Sequence, residues 1–171
     1  MSLNLIPDYI FDKFDDASVE FLLKLGIKGV ILDIDNTLEP YENDLPGEHV
    51  LLWLNSLYDA GIKTAIVSNN NKERVDLFNR EISMPAYHKA SKPFRKNIIK
   101  AMNSIGTQKY ETVFIGDQIL TDVWGAHNAG IKAILVSPIK DKTDLFTRFK
   151  RLVEVPFRRK YYKINKKEGN I

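Results

Sequence analysis

Asp33 and Asp35 close an apolar, β-branched run, Gly29–Ile34, and lead into Asn36-Thr37. Two carboxylates at the end of a buried strand repel each other, and burial disfavours the ionised form of both. A divalent cation is the simple compensation. Asp117 and Asp122 follow a second apolar run, Thr112–Gly116, and enlarge the acidic set. All-oxygen ligands suit Mg2+, which keeps several waters and meets phosphate oxygens. Ser68 and Lys92 supply what a metal site alone does not need. A hydroxyl and an ammonium beside an acidic metal cluster form a cradle for a phosphoryl group. Asn69, next to Ser68, is a further candidate substrate contact. Acids, metal, lysine and hydroxyl together describe phosphoryl transfer through a carboxylate nucleophile. Each residue alone has a blander reading. Asp122 could cap a helix, and Lys92 before Pro93 could be a solvated loop lysine. Ser68-Asn69-Asn70-Asn71 could be a polar loop and helix cap.

The elements that must position these residues alternate along the chain. Gly29–Ile34, Lys63–Ser68, Thr112–Gly116 and Lys132–Val136 read as buried strands, with Ala86–His88 as a short edge strand. Between them, 47–60, Lys72–Arg80, Phe94–Ile105 and Thr121–Ala129 carry helical spacing, with stops at Gly61, Gly106 and Gly130. Strand–helix alternation predicts an α/β fold, a doubly wound, Rossmann-like parallel sheet of about five strands. In such a sheet ligands sit beyond the carboxyl ends of the strands. Asp33–Thr37, Ser68–Asn70, Lys92 and Gly116–Asp122 all fall there. Val19, Leu22 and Leu23, followed by Gly26, predict a short helix in an N-terminal extension, residues 1–28.

In order along the chain stand Asp33-Ile34-Asp35-Asn36-Thr37, Val67-Ser68-Asn69, Lys92-Pro93 and Gly116-Asp117-Gln118-Ile119-Leu120-Thr121-Asp122. They resemble the four ordered motifs of the haloacid dehalogenase (HAD) superfamily. The resemblance implies a HAD-like sheet of order 5-4-1-2-3, counted from the strand that carries Asp33. It implies a Mg2+-dependent phosphatase in which Asp33 attacks phosphorus and forms an aspartyl-phosphate. Asp35 would protonate the leaving oxygen and then take a proton from the attacking water. The Asp33 and Asp117 carboxylates and the Asp35 backbone carbonyl would bind Mg2+. Asp122 would support the metal's water shell or orient Lys92. Ser68 would hydrogen-bond the phosphoryl group, and Lys92 would neutralise its charge. Two positions depart from the commoner pattern. Asn36 stands where many members have Gly, and Asn tolerates left-handed backbone. Ser68 stands where Thr is commoner and keeps the hydroxyl. Every chemical position is filled, which argues for an active enzyme.

Thirty residues separate Thr37 from Ser68, and 23 separate Ser68 from Lys92. Each gap holds one helix and leaves no room for an inserted cap domain. An open site is expected, which suits a bulky substrate. Leu5-Ile6-Pro7-Asp8-Tyr9 and Gly26-Ile27-Lys28-Gly29 extend the likeness. The chain resembles the YqeG family of subclass IIIA HAD phosphatases, which is similar to phosphatidylglycerophosphate phosphatases. That implies a phosphomonoester substrate, with phosphatidylglycerophosphate as the best choice. The alternatives are a soluble sugar phosphate or nucleotide, or an RNA- or protein-binding module that uses the basic tail.

Composition bounds these readings. At 171 residues, 44% hydrophobic and 27% charged, the chain has enough apolar residues for a core, so disordered and collagen-like classes are excluded. There is no cysteine, which removes thiolate metal sites, disulfides and a cysteine nucleophile. No apolar run is long enough to span a bilayer, and no secretory signal opens the chain. A cytoplasmic location is expected, with peripheral contact to an anionic membrane left open. Residues 151–171 carry seven Lys or Arg against two Glu, a net of +5, while the other 150 residues sum to −2. The excess is a basic appendage rather than a nucleic-acid face, so no nucleic acid is expected as the partner. One HAD-like domain is expected over 1–171, with a basic C-terminal tail at 156–171. Leu145, Phe146, Phe149, Leu152 and Val153 have helical spacing, as in a helix packed on the domain. Phe157, Tyr161 and Tyr162 among the tail's charges suit a membrane anchor instead. His49, His88 and His127 show no ligand spacing and read as structural or surface. Trp53 and Trp124 read as helix packing residues.

Overall fold

The structure is a computed structural model that describes residues 4–140 and 145–167, apart from the side chains of 145–154 and 167. Six strands form the sheet: β1 (Tyr9–Phe11), β2 (Gly29–Leu32), β3 (Lys63–Val67), β4 (Ala86–Tyr87), β5 (Thr112–Gly116) and β6 (Lys132–Val136). The helices are α1 (Val19–Lys24), α2 (Glu48–Asp59), α3 (Lys72–Asn79), α4 (Lys96–Ser104), α5 (Trp124–Ala129) and α6 (Leu145–Lys167). All strand pairs are parallel, in the order β1-β6-β5-β2-β3-β4. The expected order of five strands is present, and β1 is added outside β6.

The sheet is buried on both faces because its strands are apolar at successive positions. In β2, Val30 and Leu32 enter the core that holds α1, α2 and α3 side chains, while Ile31 enters the core of α4 and α5. β5 does the same with Val113 and Ile115 on one face and Phe114 on the other. All four β2 residues are buried, as the central position of that strand requires. Burying a side chain such as Leu32 contributes roughly 1.5–3 kcal/mol.

Helix ends follow local chemistry. Ser18 caps α1 by accepting from the Phe21 N–H, and Asn71 caps α3 by accepting from the Arg74 N–H. Gly130 ends α5 at a φ of 80°, where a side chain would be strained. The helix expected from Thr121 differs in form. Ile119–Val123 is a π turn, and the α-helix starts only at Trp124. π turns arise where one extra residue is accommodated, and this one carries Asp122.

The N-terminal extension is part of the sheet. β1 was not expected because three residues between Asp8 and Asp12 are too few for a periodic signal. Its register runs from Tyr9 opposite Ile134 to Phe11 opposite Val136. His127 holds this segment in place, with Nδ1 2.9 Å from the Asn4 carbonyl and Nε2 2.9 Å from Asp8 Oδ2.

At the other terminus, α6 runs without a break across Pro156, so no structural boundary separates a tail at that point. Tyr161 is buried with its hydroxyl at the Ile10 backbone, and Phe157 packs on the α4–α5 core. Two of the three expected membrane-anchoring aromatics therefore face the protein. Tyr162 is half-exposed. The apolar stripe from Leu145 to Val153 lies outside the described side chains. Among the described residues, no helix is long and apolar enough to cross a membrane.

Candidate active site

Four strand ends deliver the chemistry to one edge of the sheet. Asp33 follows β2, Ser68 follows β3, Lys92 lies in the loop after β4, and Asp117 follows β5. All four are buried, as is Asp122. After β2 the chain turns tightly: the N–H groups of Thr37, Leu38 and Glu39 all donate to the Ile34 carbonyl. Asn36 sits in this turn at a φ of 62°, the left-handed conformation expected of it.

Lys92 is the hub. Its Nζ lies 2.8 Å from Asp33 Oδ1 and 2.7 Å from Asp122 Oδ1. Asp33, Asp117 and Asp122 each offer an oxygen within a 4.8 Å cluster. Thr37 Oγ1 donates to Asp117 Oδ1 at 3.4 Å. Asp122 is seated by the Gln118 N–H, which donates to its Oδ2 at 2.9 Å. Its carboxylate also packs on Gly116, where a Cβ would lie 2.5 Å from it. Only glycine leaves that space.

Burial pushes the Asp33 carboxyl up to about 7, with Asp122 and Asp35 adding to the rise and Lys92 opposing it. Burial alone would lower Lys92, but Asp122 and Asp33 outweigh it and raise the lysine, so the ammonium stays charged. One lysine does not fully offset the carboxylates around it. The buried all-oxygen donor set of Asp33, Asp117 and Asp122 therefore fits a small divalent cation such as Mg2+. The Asp35 carboxylate is not in that cluster. Asn70 Nδ2 donates to its Oδ2 at 2.8 Å, and Arg74 meets its Oδ1. Any metal contact from Asp35 falls to its backbone carbonyl.

Asn69 and Ser68 both have backbone partners in the loops of the site. Asn69 is taken up by the backbone of Lys92: the Lys92 N–H donates to Asn69 Oδ1 at 2.7 Å, and Asn69 Nδ2 donates to the Lys92 carbonyl at 3.2 Å. Its amide thereby holds the lysine's backbone in place. Ser68 Oγ accepts the Asn70 N–H at 3.1 Å, which aligns the turn and leaves its own proton to donate. The loop to Lys92 is tense, with Lys89 and Ser91 at φ of 42° and 57°. Such conformations cost about 1–3 kcal/mol each and persist where packing over-determines them. Sequence reasoning missed Arg74 and left Asn70 open. The available signal was the position of Arg74, four residues before the inward-facing Phe78 on α3.

The model of haloacid dehalogenase-like hydrolases matches residues 39–136. A probable phosphatase of Bacillus subtilis, YqeG, is 36% identical over 166 residues, which span 97% of this chain and 94% of that protein. The chain belongs to the haloacid dehalogenase-like hydrolase family. It is a HAD-superfamily phosphatase. Solved structures of HAD proteins share its fold. The cobalt-bound deoxy-D-mannose-octulosonate 8-phosphate phosphatase of Haemophilus influenzae matches with a TM-score of 0.55 at 17% identity, covering 81% of this chain and 93% of that one. A HAD-superfamily hydrolase of Ehrlichia chaffeensis matches with a TM-score of 0.54 at 18% identity, covering 74% and 97%.

Proposed function

We propose that this HAD phosphatase hydrolyses phosphomonoesters with Mg2+, through Asp33, and that its substrate is a lipid phosphate, phosphatidylglycerophosphate. The observation that carries the mechanism is Lys92 bridging Asp33 and Asp122 inside a buried carboxylate cluster at the carboxyl edge. Asp33 Oδ forms a bond to phosphorus while the bond to the leaving oxygen breaks, and Asp35 gives that oxygen a proton. Asp35 then takes a proton from water, which attacks the aspartyl-phosphate and releases inorganic phosphate and the Asp33 carboxylate. Lys92 and the Ser68 hydroxyl hold the phosphoryl oxygens. Asp33, Asp117, Asp122 and the Asp35 carbonyl would hold the metal, which neutralises charge on the transferring group.

The rim of the site supports the lipid reading. Tyr41, Leu45, Phe94 and Ile139 are exposed on segments that follow the strand ends. The Ile139 N–H donates to the Asn36 carbonyl at 3.0 Å, which sets this residue beside the catalytic turn. Lys89, Arg95 and Lys96 are exposed around Phe94. Apolar and basic groups together suit an anionic lipid surface. The basic tail contributes less to such a surface than its composition suggests, since Phe157 and Tyr161 are packed inward.

The test is a substrate panel: phosphatidylglycerophosphate in vesicles against soluble sugar phosphates and nucleotides. A preference of at least about tenfold in kcat/KM for the lipid, which corresponds to about 1.4 kcal/mol, supports the assignment. Phe94→Ser should reduce turnover of the vesicle substrate and spare a soluble one. A higher kcat/KM on a sugar phosphate or nucleotide would replace the lipid as substrate and leave the mechanism standing.

A further inference from the structure

Arg74 is a charged residue buried to 8% exposure that the phosphatase motifs do not explain. Its guanidinium spans two parts of the molecule. Nε donates to Asp35 Oδ1 at 3.2 Å, and Nη2 lies 3.1 Å from the same oxygen. Nη1 donates to the Asp44 carbonyl at 3.0 Å. The guanidinium carbon sits 5.5 Å from the centre of the Phe78 ring, which is itself fully buried. Asn70 takes the other Asp35 oxygen at 2.8 Å. Both oxygens of Asp35 are thus addressed, one from α3 and one from the turn before it.

We propose that Arg74 is the positioning residue for proton transfer by Asp35, and that it ties this aspartate to the loop between β2 and α2. The inference rests on the reading of Asp35 as the acid and base of the phosphatase. Proton transfer needs the carboxyl within hydrogen-bond reach of the leaving oxygen, and small misplacements are costly in rate. An isolated aspartate at the start of a loop has several rotamers. A planar guanidinium anchored by Phe78 and by the Asp44 carbonyl selects one of them. Lysine has a single point of charge and cannot hold Asp35 and Asp44 together in the same plane. Asp44 enters only through its backbone, so the tie depends on the loop's path and not on the Asp44 side chain.

A structural role for Arg74 would lower activity on every substrate alike. A role in placing the acid depends on the leaving group. p-Nitrophenolate departs without needing a proton, whereas the alkoxide of glycerol phosphate needs one. Arg74→Ala should therefore lower kcat/KM for glycerol phosphate by about 10²-fold or more, the usual scale of general acid catalysis. For p-nitrophenyl phosphate the loss should stay within about threefold. kcat/KM is the proper readout because it ends at departure of the leaving group and excludes the later hydrolysis of the phospho-enzyme. Arg74→Lys should recover part of the glycerol phosphate activity. Asp35→Asn should show the same leaving-group bias as Arg74→Ala, and adding Arg74→Ala to it should cost little more.

Circular dichroism and melting temperature check that each variant is folded. If Arg74→Ala fails to fold, Arg74→Lys carries the same comparison between the two substrates. Equal losses on both substrates, or no loss on either, would overturn the role of Arg74. Asp33→Asn separates that failure from failure of the mechanism. If Asp33→Asn retains turnover, the mechanism through Asp33 and Asp35 itself falls, whereas an inactive Asp33→Asn with an unbiased Arg74→Ala rejects Arg74 alone.

Discussion

Two clusters of paired charges sit on this sheet, and they are built on opposite terms. At the carboxyl edge, one lysine is shared by Asp33 and Asp122, with Asp117 alongside. Beside β6, His127 meets one carboxylate, Asp8, and one carbonyl, that of Asn4. The first cluster is buried and holds more negative charge than its lysine offsets; burial first, and the neighbouring carboxylates after it, push Asp33 up to about 7. The second is balanced. Both ring nitrogens of His127 face acceptors, so the doubly protonated ring satisfies both at once. An unbalanced buried cluster is a poor way to stabilise a fold, since desolvation of each charge opposes its attraction. It is a good way to hold a cation and a phosphoryl group. The balanced pair pins the N-terminal segment and has no charge to spare for a ligand.

The largest expected effect comes from removing the attacking carboxylate. Asp33→Asn should lower kcat by roughly 10⁴-fold or more, the scale seen when a nucleophile is removed. Its melting temperature should hold or rise, because a buried charge disappears while the side chain keeps its shape. Retained activity would remove the distinction between the two clusters. Next in size is the metal. Stripping divalent cations with EDTA should reduce turnover by several kcal/mol of transition-state stabilisation, or about 10³-fold, and added Mg2+ should restore it. Mg2+ should also raise the melting temperature with concentration, as any ligand of the native state does. Asp117→Asn should abolish that rise, and full activity after complete demetallation would refute the metal role.

The balanced cluster should respond in stability alone. His127→Ala removes two hydrogen bonds, one of them to a charged group, and should cost about 1–3 kcal/mol. For a chain of this size that is about 2–12 °C in melting temperature. Its kcat on a soluble phosphomonoester should be unchanged at temperatures where it is folded. A selective loss of kcat would show that the N-terminal segment reaches into catalysis.

The two clusters also differed in how visible they were beforehand. The proposed catalytic edge was legible because Asp33 and Asp117 close apolar runs, where a carboxylate has no cheap explanation. Asp33, Lys92, Asp117 and Asp122 all lie on segments that follow strands, and the strand order came from the likeness to the HAD motifs. Asn69 reads as a substrate contact because an amide stands beside a hydroxyl, and only geometry shows that it clasps the Lys92 backbone. Arg74 was missed because an arginine in Lys72-Glu73-Arg74 reads as a solvated helix face despite its spacing to Phe78, and its burial depends on the path of the β2–α2 loop. β1 and the latch at His127 were missed for a related reason. Their partners lie 119 or more residues apart, and three-residue strands carry no period. The inward seat of Tyr161 has the same origin, because no local pattern marks which turn of α6 meets Ile10.

The smallest effect is the most specific to the balanced cluster, and it lies in pH. Burial lowers His127, but its bonds to Asp8 and Asn4 outweigh that and raise it above its ordinary value. Burial raises Asp8, but His127 and the Ala133 N–H outweigh that and hold it below the ordinary carboxylate value. The raised histidine contributes stability that is full below about pH 6.5, the unfolded value, and is lost as pH rises through the folded one. The depressed aspartate contributes stability that is full above about pH 3.9 and is lost as pH falls through its folded value. The pair is therefore strongest between about pH 4 and 6.5 and fades on both sides. Asp8→Asn removes the charge while its amide oxygen still accepts the Ala133 N–H that Asp8 Oδ2 now holds at 2.8 Å. The difference in melting temperature between the native chain and this variant should be a plateau with two shoulders. Subtraction cancels every titration that the variant leaves in place, that of Asp33 included. The Asp8 side chain is 36% exposed, so solvent screening keeps the plateau to about 1 kcal/mol or less, roughly 2–4 °C. A difference curve that is flat from pH 4 to 9 would show that the charge on Asp8 does nothing for the latch.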